Sequence, residues 1–277
     1  MGLVMKLGFV GTGAITSAIV TGLRSGVAER HSIRLSPRNP EVAADLANRF
    51  PGVSIASSNQ DVLDDSEVVV LAIRPQIARN VISELRFRSD HRVISIVCGL
   101  SLRRVSDLVA PAAKVTRAVP LTSVANRRGP TAIYPPDRAV ADLFATLGTA
   151  LEVEREDEFD ALWAATATIA SYFAFADSIA SWLVGYGVPQ GKAREYIARI
   201  FWALGNTAVD APQRSFQSLA GDHATPGGIN EQFLAHLAEH RTFEVVSDGL
   251  SAVMHRITSA SQKSRSIAVA GPNLSRE

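Results

Sequence analysis

The stretch Lys6-Leu7-Gly8-Phe9-Val10-Gly11-Thr12-Gly13-Ala14-Ile15-Thr16-Ser17-Ala18-Ile19 constrains this chain more than any other. It reads as a short buried strand, a corner of glycines and the start of an amphipathic helix. Gly11 permits a tight turn, and Gly13 lets backbone approach a pyrophosphate. With Thr12 in the corner, the helix opening at Ala14 and Ile15 offers free N–H groups and a partial positive charge to an anion. Thr16 stands where many such corners carry a third glycine or alanine, so helix and strand are expected to pack slightly less closely. A lone Gly-x-Gly is a weak signal. Its place directly after a strand and before a helix is what gives it weight.

Downstream, short apolar runs alternate with helical patterns. Ser32–Ser36, Val53–Ala56, Glu67–Ile73, Val93–Val97 and Lys114–Val119 read as strands, with helices over 41–50, from Pro75 to about Leu85 and over 101–108. The run Glu67-Val68-Val69-Val70-Leu71-Ala72-Ile73 has the near-continuous apolar character of a strand covered on both faces. This spacing predicts a doubly wound parallel sheet with right-handed crossovers. An edge strand around Thr131–Tyr134, a helix near Ala139–Leu147 and a strand at Ala150–Val153 are expected to complete it. The acidic run Glu152–Asp160 marks the boundary, so residues 1–155 form one expected domain and 156–277 a second.

Beyond the boundary the strand pattern stops. Asp157–Gly185 reads as one long helix, Gly187-Val188-Pro189 as a break and Gln190–Val209 as a second helix. A short helix precedes Gly221, two more run from about Pro226 to Ile257, and the tail from Thr258 is expected to fray. Two long apolar helices cannot bury all their faces in so small a helical unit, so a second copy of the chain is the expected partner.

The 277 residues suit one large or two ordinary domains, and 47% of them are hydrophobic. A net charge of +1 gives no electrostatic case for a nucleic-acid or anionic-membrane partner. The single cysteine, Cys98, excludes an internal disulfide, fits a reducing, cytoplasmic compartment, and is expected to be a small buried thiol rather than a nucleophile. Met1 to Met5 is too short for the apolar core of a signal peptide. Ala161–Val184 is long and apolar enough to raise a membrane question, but it carries Asp177 and lacks a flanking basic cluster. A helix buried between subunits accounts for it better, and no membrane partner is expected.

Two sites stand out besides the glycine corner. About twenty residues past it, where a site choosing NAD carries a carboxylate, the chain has Ser36-Pro37-Arg38-Asn39 and no acid before Glu41. Arg38, aided by Ser36 and Asn39, suits the 2′-phosphate of NADPH, with NADH the lesser alternative. Ala72, Arg74 and Pro75, Cys98 and Gly99, and Pro120 follow strand ends, where dinucleotides bind in open sheets. The second site is Thr225-Pro226-Gly227-Gly228-Ile229-Asn230. Thr225 is expected to cap a helix with Pro226 in its first position, leaving the N–H groups of Gly227 and Gly228 free for a carboxylate. His223, just before it, is a candidate proton donor, although a lone loop histidine is more often structural. No metal site is expected.

From about Lys6 to Ile257 the chain resembles the pyrroline-5-carboxylate reductases. The likeness rests on Gly8-Phe9-Val10-Gly11-Thr12-Gly13, Ser36-Pro37-Arg38-Asn39, Leu71-Ala72-Ile73-Arg74-Pro75-Gln76, Val93-Ile94-Ser95-Ile96-Val97-Cys98-Gly99, Arg117-Ala118-Val119-Pro120 and Thr225-Pro226-Gly227-Gly228. The resemblance implies an N-terminal Rossmann-type domain followed by an all-α dimerisation domain, a homodimer or larger assembly, and reduction of a C=N bond by NADPH or NADH. The departures fall in the substrate half. Where the family has Ser-Gly-x-Gly-Pro-Ala-Tyr, this chain has Thr166-Ala167-Thr168-Ile169-Ala170-Ser171-Tyr172. Asn230 stands where the family has a threonine, Leu121 where it has an asparagine, and Ala220-Gly221 where it has an Arg-Asp pair.

The implied chemistry is hydride transfer to the carbon of a protonated cyclic imine bearing a carboxylate. Thr225 with the Gly227 and Gly228 amides would hold the carboxylate, Pro120 would line the pocket, and Asn230, or Thr168 across a dimer cleft, would hydrogen-bond the nitrogen. An iminium is already electrophilic, so the protein need mainly position the reactants and exclude water. Reduction of a different imine or an oxo acid is the alternative; a carbonyl needs a proton donor, for which only His223 or Lys192 offers itself. A third reading is a non-catalytic NADPH-binding homodimer.

Overall fold

The structure, a computed structural model, describes residues 4–26 and 31–269, with side chains through Ser259. Eight strands form one sheet: β1 (Lys6–Val10), β2 (Ser32–Leu35), β3 (Val53–Ile55), β4 (Val68–Leu71), β5 (Arg92–Ser95), β6 (Lys114–Pro120), β7 (Pro130–Tyr134) and β8 (Thr149–Glu152). Their order is β3-β2-β1-β4-β5-β6-β7-β8. All neighbouring pairs are parallel except β6 with β7.

Side-chain alternation explains the burial of the strands. In β4, Val68 and Val70 enter the core on one face of the sheet, and Val69 and Leu71 enter the core on the other. The first face is covered by α1 (Ala14–Arg24), α2 (Pro40–Arg49) and α6 (Arg138–Ala145), through residues such as Ile19, Leu46 and Phe144. The second is covered by α3 (Asn59–Asp64), α4 (Pro75–Ser83) and α5 (Leu102–Val109), through Leu63, Ile82 and Val105. Each large apolar side chain so buried contributes about 1.5–3 kcal/mol.

The helical part consists of α7 (Glu156–Ala165), α8 (Thr168–Gly185), α9 (Gln190–Asp210), α10 (Phe216–His223), α11 (Ile229–Glu239) and α12 (Thr242–Val269). By its internal contacts the chain divides into two compact units, Met1–Trp163 with Met254–Glu277, and Ala164–Val253. In the second unit α8 packs on α9 through Tyr172 and Phe175 against Phe201. The unit buries very little: Ala164, Ala193 and Ile197 are its buried hydrophobic residues among those described, while Phe173, Trp182 and Phe216 are 64, 60 and 80% exposed.

The structure corrects several expectations. The strand at Thr131–Tyr134 is interior, paired with both β6 and β8, and β8 is the edge. The long helix expected at Asp157–Gly185 breaks at Thr166-Ala167 between α7 and α8. Thr168 turns its hydroxyl back onto the Ala165 carbonyl at 2.8 Å, a local bond that competes with helix continuation. The helix α3 has a clear cap in Ser58, whose hydroxyl accepts from Asp61 N–H. α10 continues through Gly221 to His223 rather than ending before it. α12 carries the backbone to Val269, so helix replaces the expected fraying from Thr258; residues 270–277 lie outside the described residues.

Candidate functional site

Strand order reverses between β1 and β4, so the connections leaving these two strands diverge and open a crevice at their carboxyl ends. Gly11 leaves β1 there with φ +102°, a left-handed conformation that glycine adopts without strain. A Cβ on it would lie 2.3 Å from the carbonyl oxygen of Ala72, which leaves β4 beside it. The corner is then tied to the end of β2. Gly11 N–H donates to Ser36 Oγ at 3.0 Å, and Thr12 Oγ1 donates to the Ser36 carbonyl at 2.8 Å. Ser36 is fully buried, so its hydroxyl shapes the corner and is not offered to a 2′-phosphate as expected.

Gly13 precedes α1 with no side-chain cap, and a Cβ built on it meets nothing within 4 Å. The helix therefore presents uncapped N–H groups, with half-buried Ile15 and exposed Ala14 in its first turn, to open space of the kind a pyrophosphate fills. Thr16 does not loosen the packing as expected. It is fully buried and donates from Oγ1 to the Gly11 carbonyl at 2.7 Å, which locks the corner onto the helix.

Arg38 lies beyond β2, exposed, and no ion-pair partner is seen for it among the described residues. Asn39 beside it precedes α2 without using its side chain as a cap. Arg74 is exposed directly before Pro75, the first residue of α4. Gly99 follows β5 with φ +75°. Cys98 is exposed, contrary to the expectation of burial, yet crowding by its neighbours pushes the thiol above its ordinary pKa, against the opposing effect of Arg117. It is held as a thiol and is a poor nucleophile. Pro120 is buried as the last residue of β6, opposite Thr131, so it does not belong to the loop where it was expected to line a pocket. These residues fit a phosphorylated dinucleotide: the free amides, the open side of Gly13 and the unpaired guanidinium are what such a group requires.

Sequence reasoning missed the support of this site. Arg117 on β6 is 1% exposed, and its Nη1 donates to Glu156 Oε1 at 2.8 Å. Its Nη2 lies 3.0 Å from Asp160 Oδ1 without hydrogen-bond geometry. The guanidinium stacks 4.4 Å over the Phe159 ring. Burial raises the Asp160 carboxyl above its ordinary pKa, and Arg117 opposes the shift. A buried arginine inside an apolar strand leaves no periodic signal; only the acids at one-turn spacing, Glu156 and Asp160, hint at a shared cation.

In the second unit Thr225, Pro226, Gly227 and Gly228 form a turn that precedes α11. Gly228 N–H donates to the Thr225 carbonyl at 2.9 Å, and Gly227 has φ +73°, the pattern of a type II turn with proline and glycine in its centre. Thr225 is therefore not the cap; Gly228 holds that position with no side-chain bond. The two amides expected to be free are both engaged, because Gly227 N–H donates to Glu231 Oε2 at 2.7 Å. Asn230 is exposed in the first turn of α11, and Thr168 and His223 are exposed on α8 and α10.

Residues 6–99 match the family model for NADP oxidoreductase coenzyme F420-dependent, and residues 156–260 match that for pyrroline-5-carboxylate reductase dimerisation. The pyrroline-5-carboxylate reductase of Vibrio alginolyticus is 24% identical over 261 residues, covering 91% of this chain and 96% of its own. The solved 1-pyrroline-5-carboxylate reductase of Streptococcus pyogenes superposes with a TM-score of 0.79 at 26% identity, over 92% of this chain and 99% of that one. A pyrroline carboxylate reductase of Plasmodium falciparum, solved with NADP bound, shares the fold at a TM-score of 0.77 and 20% identity, over 93% and 98% of the two chains.

Proposed function

We propose that the chain is a member of the pyrroline-5-carboxylate reductase family and reduces the C=N bond of a cyclic imino acid with NADPH, the proline-forming reaction; the match of residues 156–260 to the dimerisation domain of that family and the full-length likeness to its members support the reading. It is an NAD(P)H-dependent oxidoreductase acting on a CH–NH group. The observation that carries the choice of cofactor is Arg38, exposed and without an ion-pair partner among the described residues, just after β2, whose end is tied through Ser36 to the glycine corner before the uncapped start of α1.

Bound NADPH supplies the hydride, and the residues of this chain position and bind. The amides of α1 and the corner at Gly11 and Gly13 hold the pyrophosphate, and Arg38 with Asn39 holds the 2′-phosphate. The first turn of α11 takes the substrate carboxylate through the amides near Ile229 and Asn230 once the exposed Glu231 side chain moves aside. Asn230, with Thr168 and Thr225 as the further candidates, hydrogen-bonds the imine nitrogen. A protonated imine needs no nucleophile, in keeping with a Cys98 thiol held above its ordinary pKa.

The protein works as a homodimer in the cytoplasm. Within residues 156–185 an 18-residue window is apolar and long enough to cross a membrane by composition. A second copy of the chain covers this surface in our reading, and the match of residues 156–260 to a dimerisation domain supports it. Sedimentation of the detergent-free protein as a dimer checks this.

Purified protein should oxidise NADPH when pyrroline-5-carboxylate is added and not otherwise. Absence of turnover with every five- and six-membered cyclic imino acid tried overturns the reading.

A further inference from the structure

The last turn of α11 and the residue that caps it gather three side chains of metal-ligand type that the reductase reading does not use. His236, Glu239 and His240 stand three and four residues apart, so the helix lines them along one stripe. One ligand atom from each, two imidazole nitrogens and a carboxylate oxygen, all lie within 4.8 Å of one another. The two imidazole centroids are 4.4 Å apart.

His240 Nδ1 sits 2.8 Å from the His236 carbonyl. A carbonyl only accepts, so Nδ1 carries the proton and Nε2 keeps its lone pair. Ligand histidines are oriented in the same way in metal sites, by donating their second nitrogen to a carbonyl or carboxylate. The helix adds a second, independent contribution: His240 closes α11, where the unpaired carbonyls carry partial negative charge and favour a cation. Directly after it Arg241 takes a left-handed conformation (φ +54°) that ends the helical path. All three ligands are exposed, so an ion can reach them without rearrangement of a core.

We propose that His236, Glu239 and His240 bind one divalent transition-metal cation of the class of Zn2+, with water completing its coordination. Two imidazoles and one carboxylate select this class, because Mg2+ and Ca2+ prefer all-oxygen sites. Such an ion would bridge adjacent positions of the last turn and stabilise the folded chain by an amount that grows with the logarithm of the ion concentration above Kd.

The test uses tag-free, full-length protein stripped by a chelator, titrated with Zn2+ by calorimetry and with Co2+ by visible absorption. One ion per chain is expected, with no response to Mg2+ or Ca2+. The double variant His236→Ala/His240→Ala should lose at least about a hundredfold in Zn2+ affinity, more than the loss of one supporting hydrogen bond. Replacement of His255, exposed on α12, by Ala should leave affinity unchanged. Far-UV circular dichroism and a urea midpoint matching those of the wild type report that the double variant is folded. No saturable binding below about 100 μM Zn2+, or binding that survives the double substitution, overturns the proposal.

Discussion

Glu156 neutralises Arg117 and caps a helix with the same atom: its Oε1 accepts from Arg117 Nη1 at 2.8 Å and from the backbone N–H of Leu102, the first residue of α5, at 2.6 Å. One carboxylate thus joins β6, α7 and the helix that follows the Cys98–Gly99 loop. Glu156→Ala would leave Arg117, 1% exposed, with the oblique contact to Asp160 and the face of Phe159 but, among the described residues, no well-aligned carboxylate. The loss should be about 3–5 kcal/mol of stability, as for other buried pairs deprived of one partner. Glu156→Gln keeps an acceptor for Leu102 and should cost less. Urea unfolding of the two variants measures the difference; equal midpoints would show that the charge of Glu156 does not matter.

Arg38 makes the choice between cofactors testable. It is exposed and meets no acid among the described residues, so its substitution should leave the fold intact. A hydrogen bond to a charged group is worth about 1.5–3 kcal/mol, so Arg38→Ala should weaken NADPH binding by roughly tenfold to a hundredfold and leave NADH binding unchanged. Fluorescence titration with both nucleotides checks it. An equal loss for both would move the 2′-phosphate to another residue.

His91 should make stability depend on pH. It is fully buried, Nδ1 accepts the Arg88 N–H at 3.0 Å, and Nε2 faces the Leu63 carbonyl at 3.1 Å, so the neutral ring satisfies both neighbours. Burial first, then the charge of Arg88, holds its pKa below the ordinary value of 6.5. His31, whose Nδ1 accepts the Met5 N–H, is lowered in the same way by burial and Arg24. As pH falls through 6.5 the unfolded histidines take up protons and the folded ones do not, so the unfolded state gains protons and stability falls. The urea midpoint should be lower at about pH 5.5 than at about pH 7.5, and His91→Gln should flatten part of that slope. A wild-type midpoint that does not move across this range refutes the assignment.

The nucleotide-binding half was legible because its signals are local. The continuous apolar run of β4, the corner at Gly11 and the lack of an acid near Arg38 all show in runs of a few residues. What escaped depends on pairing across long separations. Arg117 meets Glu156 thirty-nine residues away, and Ser36 meets Gly11 twenty-five residues away. Neither bond leaves a pattern along the chain. The second unit was harder to read for another reason: its apolar residues stay exposed within one chain, so helical periodicity could not distinguish inner faces from outer ones. At Thr225 the turn chemistry of proline followed by glycine outweighed the capping preference of threonine.

Glu231 gives the most direct test of the proposed substrate site. Its carboxylate accepts the Gly227 N–H at 2.7 Å, and its charge sits at the positive end of α11. A substrate carboxylate arriving there meets both a rival for the amides and a like charge. Glu231 is exposed, so replacing it removes that competitor without opening a core. Glu231→Gln keeps the shape and drops the charge, and should lower KM for a carboxylate-bearing cyclic imine by about tenfold, the equivalent of about 1.4 kcal/mol. Because the interaction is made in the ground state and the transition state alike, kcat should hold steady, as should KM for NADPH. An imine without a carboxylate serves as the control, and its KM should not change. If KM for the carboxylate substrate stays the same or rises in the variant, the substrate's acid group binds elsewhere than the start of α11.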